Sequence, residues 1–174
     1  MTDLARVAEK AKVAAAALQR ASSSNRQQFL AHLADGLTAA RALIEQANSA
    51  DLAAAEKAGA PRPLLDRLSL QGRVPQLVQN ARDVSTLADP LAVISDAHIL
   101  PNGLRVERRR VPLGVLMMIY EARPNATIEA AVLAVKSGNA IILKGGKEAE
   151  KSNGVLGEIL GAALQAAKAA SSWA

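Results

Sequence analysis

Val115-Leu-Met-Met-Ile-Tyr120 and Ala140-Ile-Ile-Leu143 are two uninterrupted apolar runs, and their reading decides the fold. Apolar runs without polar alternation read as strands buried on both faces, the habit of parallel sheets. Between them, Ile128 to Val135 has helical spacing, and Lys136-Ser-Gly-Asn139 supplies a helix stop. A further helix is expected from about Glu148 to Ala170. Strand, helix, strand, helix implies parallel pairing through a right-handed crossover. Ligands in such sheets gather at the carboxyl ends of the strands. Those ends are residues 120–125 and 144–147.

Upstream, the text is different. Residues 1–20 are alanine-rich with Lys10, Lys12 and Arg20 interspersed, a strong helix composition. Ser22-Ser-Ser-Asn25 interrupts with good N-cap residues. Phe29, Leu33, Leu37, Ala40, Ile44 and Ala47 then recur every three or four residues, predicting one amphipathic helix that ends before Ala60-Pro61. Leu77, Val78, Ala81, Val84 and Leu87 predict another, with Pro75 tolerated in its first turn and Asp89-Pro90 closing it. From 91 to 111, apolar and polar residues alternate around Pro101-Asn-Gly103, which reads as a two-stranded hairpin. The run Arg105-Val-Glu-Arg-Arg-Arg110 lies along its second strand, where charge blunts a sheet edge. The domain reading is therefore a helical part over 1–90, a hairpin over 91–111 and a partial βαβα unit over 112–174.

Composition narrows the function classes. The chain has 174 residues, half of them hydrophobic, which is enough for a core and too apolar for a disordered chain. It has no cysteine, so these residues hold no disulfide, thiolate metal site or cysteine nucleophile. His32 and His98 lie far apart, which argues against a histidine metal site, and no metal is expected. The formal charge of +5 is spread along the chain, with one Phe, one Tyr and one Trp to stack on bases. With no helix-turn-helix, zinc-finger or RNP pattern, no nucleic-acid partner is expected. No apolar run approaches the ~20 residues of a membrane span, and Met1-Thr-Asp-Leu-Ala-Arg6 lacks a signal-peptide core. The expected location is the cytoplasm.

The two strand-end loops carry the chemistry. Lys144-Gly-Gly-Lys147 offers glycines and two lysines before a helix, which suits either an anion held by backbone N–H groups or a plain turn. Glu121-Ala-Arg-Pro-Asn125 carries an acid, a base and an amide. Arg123 could hold a carboxylate or phosphate, or pair with Glu121. The Asn125 amide could donate to an oxyanion, or cap the following helix. Spacing leaves each of these alternatives open.

The stretches Glu107-Arg-Arg-Arg-Val-Pro-Leu-Gly114, Ile119-Tyr-Glu-Ala-Arg-Pro-Asn125 and Lys136-Ser-Gly-Asn-Ala-Ile-Ile-Leu-Lys-Gly-Gly-Lys-Glu-Ala149 closely resemble the γ-glutamyl phosphate reductase family. So do Leu65-Asp-Arg-Leu68 and Leu87-Ala-Asp-Pro90. That family, also called glutamate-5-semialdehyde dehydrogenase, lies within the aldehyde dehydrogenase superfamily. The resemblance runs in order from near the N-terminus to about residue 165. It implies an α/β fold: N-terminal helices, a hairpin, and the first βαβα portion of an aldehyde-dehydrogenase-type Rossmann-like domain, with the catalytic domain absent.

The implied reaction is NADPH-dependent reduction of γ-glutamyl phosphate to glutamate 5-semialdehyde plus phosphate, in proline biosynthesis. By matched position, Asn125 takes the oxyanion-stabilising role. Lys144 takes the ribose contact, with Gly145 and Gly146 beside it and the backbone around Ala122 bordering the cofactor. Lys147 falls where NAD-preferring relatives often carry a glutamate, so a cation there implies NADP(H). Arg123 is the choice for a substrate anion. Residues 91–111 match an oligomerisation hairpin, which implies a homo-oligomer.

The sequence also departs from the family. Family chains run to more than twice this length and carry the nucleophilic cysteine beyond the matched part. The segment Ala169-Ala-Ser-Ser-Trp-Ala174 stands where the family usually reads Gly-Leu-Pro. The reading is of a chain cut short by a frameshift, a premature stop or an artificial end point. It is expected to be catalytically inactive alone, marginally stable and prone to associate, since two parallel strands leave an edge and apolar faces uncovered. The alternative is a non-catalytic module that binds cofactor or docks onto a full-length subunit.

Overall fold

The computed structural model describes residues 3–170, so the 171–174 end with Trp173 lies outside the described residues. Helix α1 covers Asp3–Arg20. Helix α2 follows over Ser23–Ala39, with Ser22 as N-cap accepting the Asn25 N–H. The single amphipathic helix predicted from Arg26 to the Pro61 region is two. Helix α2 stops at Ala39 and α3 runs Arg41–Lys57, with Ala40 between them at φ −90°, ψ 11°. The apolar period carries through the break, which is why the sequence gives no sign of it. The bend lets both helices reach the last helix. A short helix α4, Arg62–Leu68, was not anticipated from the pattern, and α5 spans Val74–Thr86 with a proline in its first turn as expected.

Strands β1 (Ile94–Ile99) and β2 (Arg105–Arg109) form the antiparallel hairpin, with a register shift between Ile94 and Asp96. Glu107 sits between Arg105 and Arg109 at 2.5 and 2.7 Å, and the pairing holds its carboxyl below the ordinary range, Arg109 contributing most. Strand β3 (Val115–Ile119) pairs in parallel with β4 (Ala140–Lys144), joined by helix α6, Asn125–Lys136. A 3-10 turn at Lys147–Ala149 leads into α7, Glu150–Ala170. The architecture is the α/β order read from the two apolar runs. One expectation fails: neither strand is buried on both faces, since β4 is half-buried from Ile141 to Leu143 and β3 is largely exposed. Met117 is 57% and Ile119 66% exposed, because among the described residues β3 pairs with β4 alone and no further strand covers its other edge.

Helix α2 is the centre of the core, packed between α5 and α7. Its inner face, Leu30, Leu33 and Leu37, is fully buried, alongside Ile44, Leu70, Leu77, Ile128 and Leu156. Gly36 lets α7 approach, since a Cβ there would lie 3.1 Å from Ile159 Cγ2. Helix α1 packs on β4 and β3, and α6 packs beside β4. Among the described residues, no helix is long and apolar enough to cross a membrane.

A charged clasp closes the base of the hairpin. Arg26, on α2, is buried and donates to Asp89 Oδ2 at 2.6 Å and to the Ala21 carbonyl. Lys136, at the end of α6, is buried and donates to the Ser85 and Leu87 carbonyls at 3.0 and 2.7 Å.

Gly138 ends α6 at φ +74°, and a Cβ there would lie 2.9 Å from Pro112 Cγ and 3.0 Å from Leu91 Cδ1. Gly138→Ala combines left-handed strain with overpacking. Chemical denaturation should show a loss of about 2 kcal/mol, summed from those two costs. A loss below about 0.5 kcal/mol would mean that the turn relaxes freely.

Candidate functional site

Parallel pairing sets the ends of β3 and β4 side by side: Ile119 is opposite Lys144, and the Tyr120 N–H donates to the Lys144 carbonyl at 3.1 Å. The loops 121–125 and 144–147 therefore leave the same edge of the sheet. Tyr120, Thr127 and Asn153 stitch the elements behind them. Thr127 Oγ1 donates to Asn153 Oδ1 at 2.8 Å. A threonine hydroxyl has one proton, so the Tyr120 hydroxyl is the donor in its 2.5 Å contact with Thr127.

The glycines of the 144–147 loop have a reason internal to the protein. A Cβ on Gly145 would strike the Asn153 amide and lie 3.3 Å from the Tyr120 ring. A Cβ on Gly146 would strike the carboxylate of Glu148, which folds back over it. The backbone amides at the helix start behind this loop, from Ala149 to Ser152, are likewise occupied. Asp51, buried on α3, accepts the Lys151 N–H at 3.2 Å and the Ser152 N–H and hydroxyl at 2.8 and 2.7 Å. The Ala149 N–H donates to the Gly146 carbonyl, and the Glu150 N–H to that of Lys147. The start of α7 is capped by the protein itself. An anion at this loop therefore has no open amide at the first turn of α7 and depends chiefly on side chains.

Those side chains are available. Lys144, Lys147 and Arg123 are exposed and make none of the ion pairs seen among the described residues. Three unpaired cations on two neighbouring loops suit a phosphate-bearing ligand. Glu121 and Arg123 do not pair with one another there either.

Asn125 is the first residue of α6 rather than its cap, since Pro124 occupies the cap position. Its Nδ2 donates to Glu129 Oε1 at 3.2 Å, which leaves the second amide proton without a partner in that bond. Ala122 is buried at φ +41°, and its N–H donates to Glu148 Oε1 at 2.5 Å. This backbone, read as a border of the cofactor, is thus held by the protein's own carboxylate.

Glu148 and Asp51 were missed by the sequence reading. Asp51 acts across a hundred residues of chain, and no local signal marks it. Glu148 had one: a carboxylate two residues beyond a glycine can fold back onto it. Among the described residues, no cluster of three His, Asp or Glu side chains could hold a metal ion.

Known proteins now provide a comparison. The chain is 49% identical over 164 residues to γ-glutamyl phosphate reductase of Symbiobacterium thermophilum, covering 94% of this chain and 39% of that one. Its fold matches the crystal structure of γ-glutamyl phosphate reductase from Saccharomyces cerevisiae with a TM-score of 0.93 and 33% identity, over 97% of this chain and 43% of that one. A structure of a putative aldehyde dehydrogenase from Bacillus subtilis matches with a TM-score of 0.63 at 19% identity, over 90% of this chain and 32% of that one, a likeness of fold alone. The chain spans about two fifths of the length of the curated relatives it matches. No family model matches it.

Proposed function

We propose that this chain, which resembles the γ-glutamyl phosphate reductases along almost its whole length, is the cofactor side of an NADPH-dependent reductase of γ-glutamyl phosphate. The observation that carries the reading is the parallel β3–β4 pair, with loops 121–125 and 144–147 leaving one edge. Lys144 and Lys147 fit the phosphate and ribose end of the dinucleotide, and Lys147 accounts for a preference for the 2′-phosphate. When bound, that cofactor supplies the hydride. Arg123 holds the substrate's phosphate or carboxylate. The spare N–H of Asn125 donates to the oxygen that gains charge as the acyl carbon is attacked. With no cysteine among its 174 residues, the chain cannot itself supply a thiolate, so it is catalytically inactive alone. The 91–111 hairpin is the surface assigned to assembly into a homo-oligomer.

Titration with NADPH and NADH, followed by nicotinamide fluorescence, tests the reading. The wild-type chain should prefer NADPH. Lys147→Ala should weaken NADPH binding by about tenfold, the scale of one charge-assisted contact, and leave NADH nearly unchanged. Lys144→Ala should weaken both. Equal affinities in the wild type, or no response to Lys147→Ala, would remove the assigned specificity.

A further inference from the structure

We propose that Glu148 is the positioning residue of this crevice, and that Gly146 is glycine to admit its carboxylate. The Glu148 side chain turns back over Gly146 from the 3-10 turn after β4, and its Oε1 takes the Ala122 N–H at 2.5 Å. Ala122 is the one described residue other than glycine with positive φ, at +41°. It is also buried, with its methyl inside the protein. A left-handed alanine is held only when its surroundings over-determine it. Here burial fixes the methyl from one side and the carboxylate fixes the amide from the other.

What Ala122 carries explains the consequence. The first turn of α6 closes onto the two residues that follow it, with the Ala126 N–H on the Arg123 carbonyl and the Thr127 N–H on that of Pro124. Asn125 is the first residue of that helix. Glu148 thereby sets the place of Arg123 and Asn125 from the end of the neighbouring strand. It ties the two loops into one rigid edge. The behind-the-loop network of Tyr120, Thr127 and Asn153 makes no contact with this bond that the hydrogen bonds record, so the two devices can be separated by mutation.

The substitution at Gly146 gives an independent handle. A methyl there collides with the free end of a flexible side chain rather than with backbone, so the chain keeps its fold while the carboxylate is pushed aside. Gly146→Ala should therefore reproduce Glu148→Ala.

The test reads the Ala122 amide by NMR hydrogen exchange in the ligand-free chain. Glu148→Ala and Gly146→Ala should each speed its exchange by at least tenfold, and the double variant should be no faster than either single one. Glu148→Gln, which keeps an oxygen acceptor, should restore most of the protection. Unchanged exchange in Glu148→Ala, or additive effects of the two single variants, would overturn the proposal. The second arm rests on the cofactor reading above: NADPH should bind the two alanine variants several-fold more weakly, with Glu148→Gln close to wild type. If wild-type chain binds no NADPH, the cofactor reading fails, while the amide exchange still decides whether Glu148 positions the loop.

Discussion

Asp51→Ala should lower the stability of the chain by about 3 kcal/mol, the scale of losing a helix cap together with buried bonds to a charged group. Its carboxylate accepts three bonds from the start of α7: two backbone N–H groups and the Ser152 hydroxyl. Asp51 is 5% exposed and Ser152 fully buried, so water cannot take over those donors in the variant. The damage spreads to a second buried residue. Asn48, also on α3, donates to Ser152 Oγ at 3.2 Å and to the Leu68 carbonyl at 2.9 Å, and accepts the Leu70 N–H at 2.7 Å. Once Ser152 loses its acceptor, its hydroxyl can turn its proton toward no carboxylate, and the Asn48 contact loosens with it. For a chain of this length, about 3 kcal/mol corresponds to a fall in Tm of roughly 6–12 °C. Asp51→Asn keeps one oxygen for Ser152 and should lose about half as much. Thermal melts of the two variants decide the matter. An Asp51→Ala melt within 2 °C of wild type, on the order of 1 kcal/mol or less, would show that α7 needs no cap from α3.

That cap also explains how far the sequence could be read. The alternation of apolar runs with a helical period between Val115 and Ala170 is enough to order two parallel strands and two helices, because each signal is local. The hairpin turn at Pro101-Asn-Gly103 is local as well. The break at Ala40 is not: the apolar stripe continues across it, and the bend answers to packing against α7. The same limit applies to the loops. Lys144, Lys147, Arg123 and Asn125 stand at or just beyond the carboxyl ends of the two strands, a placement that local signals give. What the glycines make room for is set by Asn153 and Glu148, whose positions depend on the tertiary fold. Likewise, a helix start after a glycine turn suggests free N–H groups, and only the fold brings Asp51 to fill them. Exposure of β3 was the opposite error. A fully apolar strand was read as buried, and the described chain leaves that face open.

Asp89→Ala should be the most damaging single change at the hairpin base, at about 3–4 kcal/mol near pH 7, the lower part of the range for breaking a buried pair because Asp89 keeps some access to water. The reason is the sign of its surroundings. Arg26 and Lys136 are both buried, and Asp89 is the anion that acts on both. Removing it leaves two cations facing each other. Arg26→Met keeps the packing and leaves Asp89 with the Leu91 N–H and the Lys136 charge, so it should cost about 2 kcal/mol, less than the anion's loss. The pH dependence follows from the same charges. Burial alone would raise the Asp89 pKa, but the Leu91 N–H, Arg26 and the Ser23 hydroxyl together hold it below the ordinary 3.8. Between the folded and unfolded values the unfolded chain binds more protons, so this stabilisation is complete above the unfolded value and is lost as pH falls through the folded one. The gap between wild type and Asp89→Ala should therefore close in acid. Lys136 acts at the other end. Burial pushes its pKa below 10.5, Arg26 pushes the same way, and Asp89 opposes them. Without Asp89 the ammonium loses its only opposing charge in that set, and its pKa falls further. The unfolded chain again binds more protons above the folded value, so alkaline pH should restore stability to Asp89→Ala more than to wild type. Urea denaturation across acid, neutral and alkaline pH measures the gap. A gap of constant width from acid to alkali would show that Asp89 acts through packing rather than charge, and Arg26→Met costing more than Asp89→Ala would show that the clasp is not built around its anion.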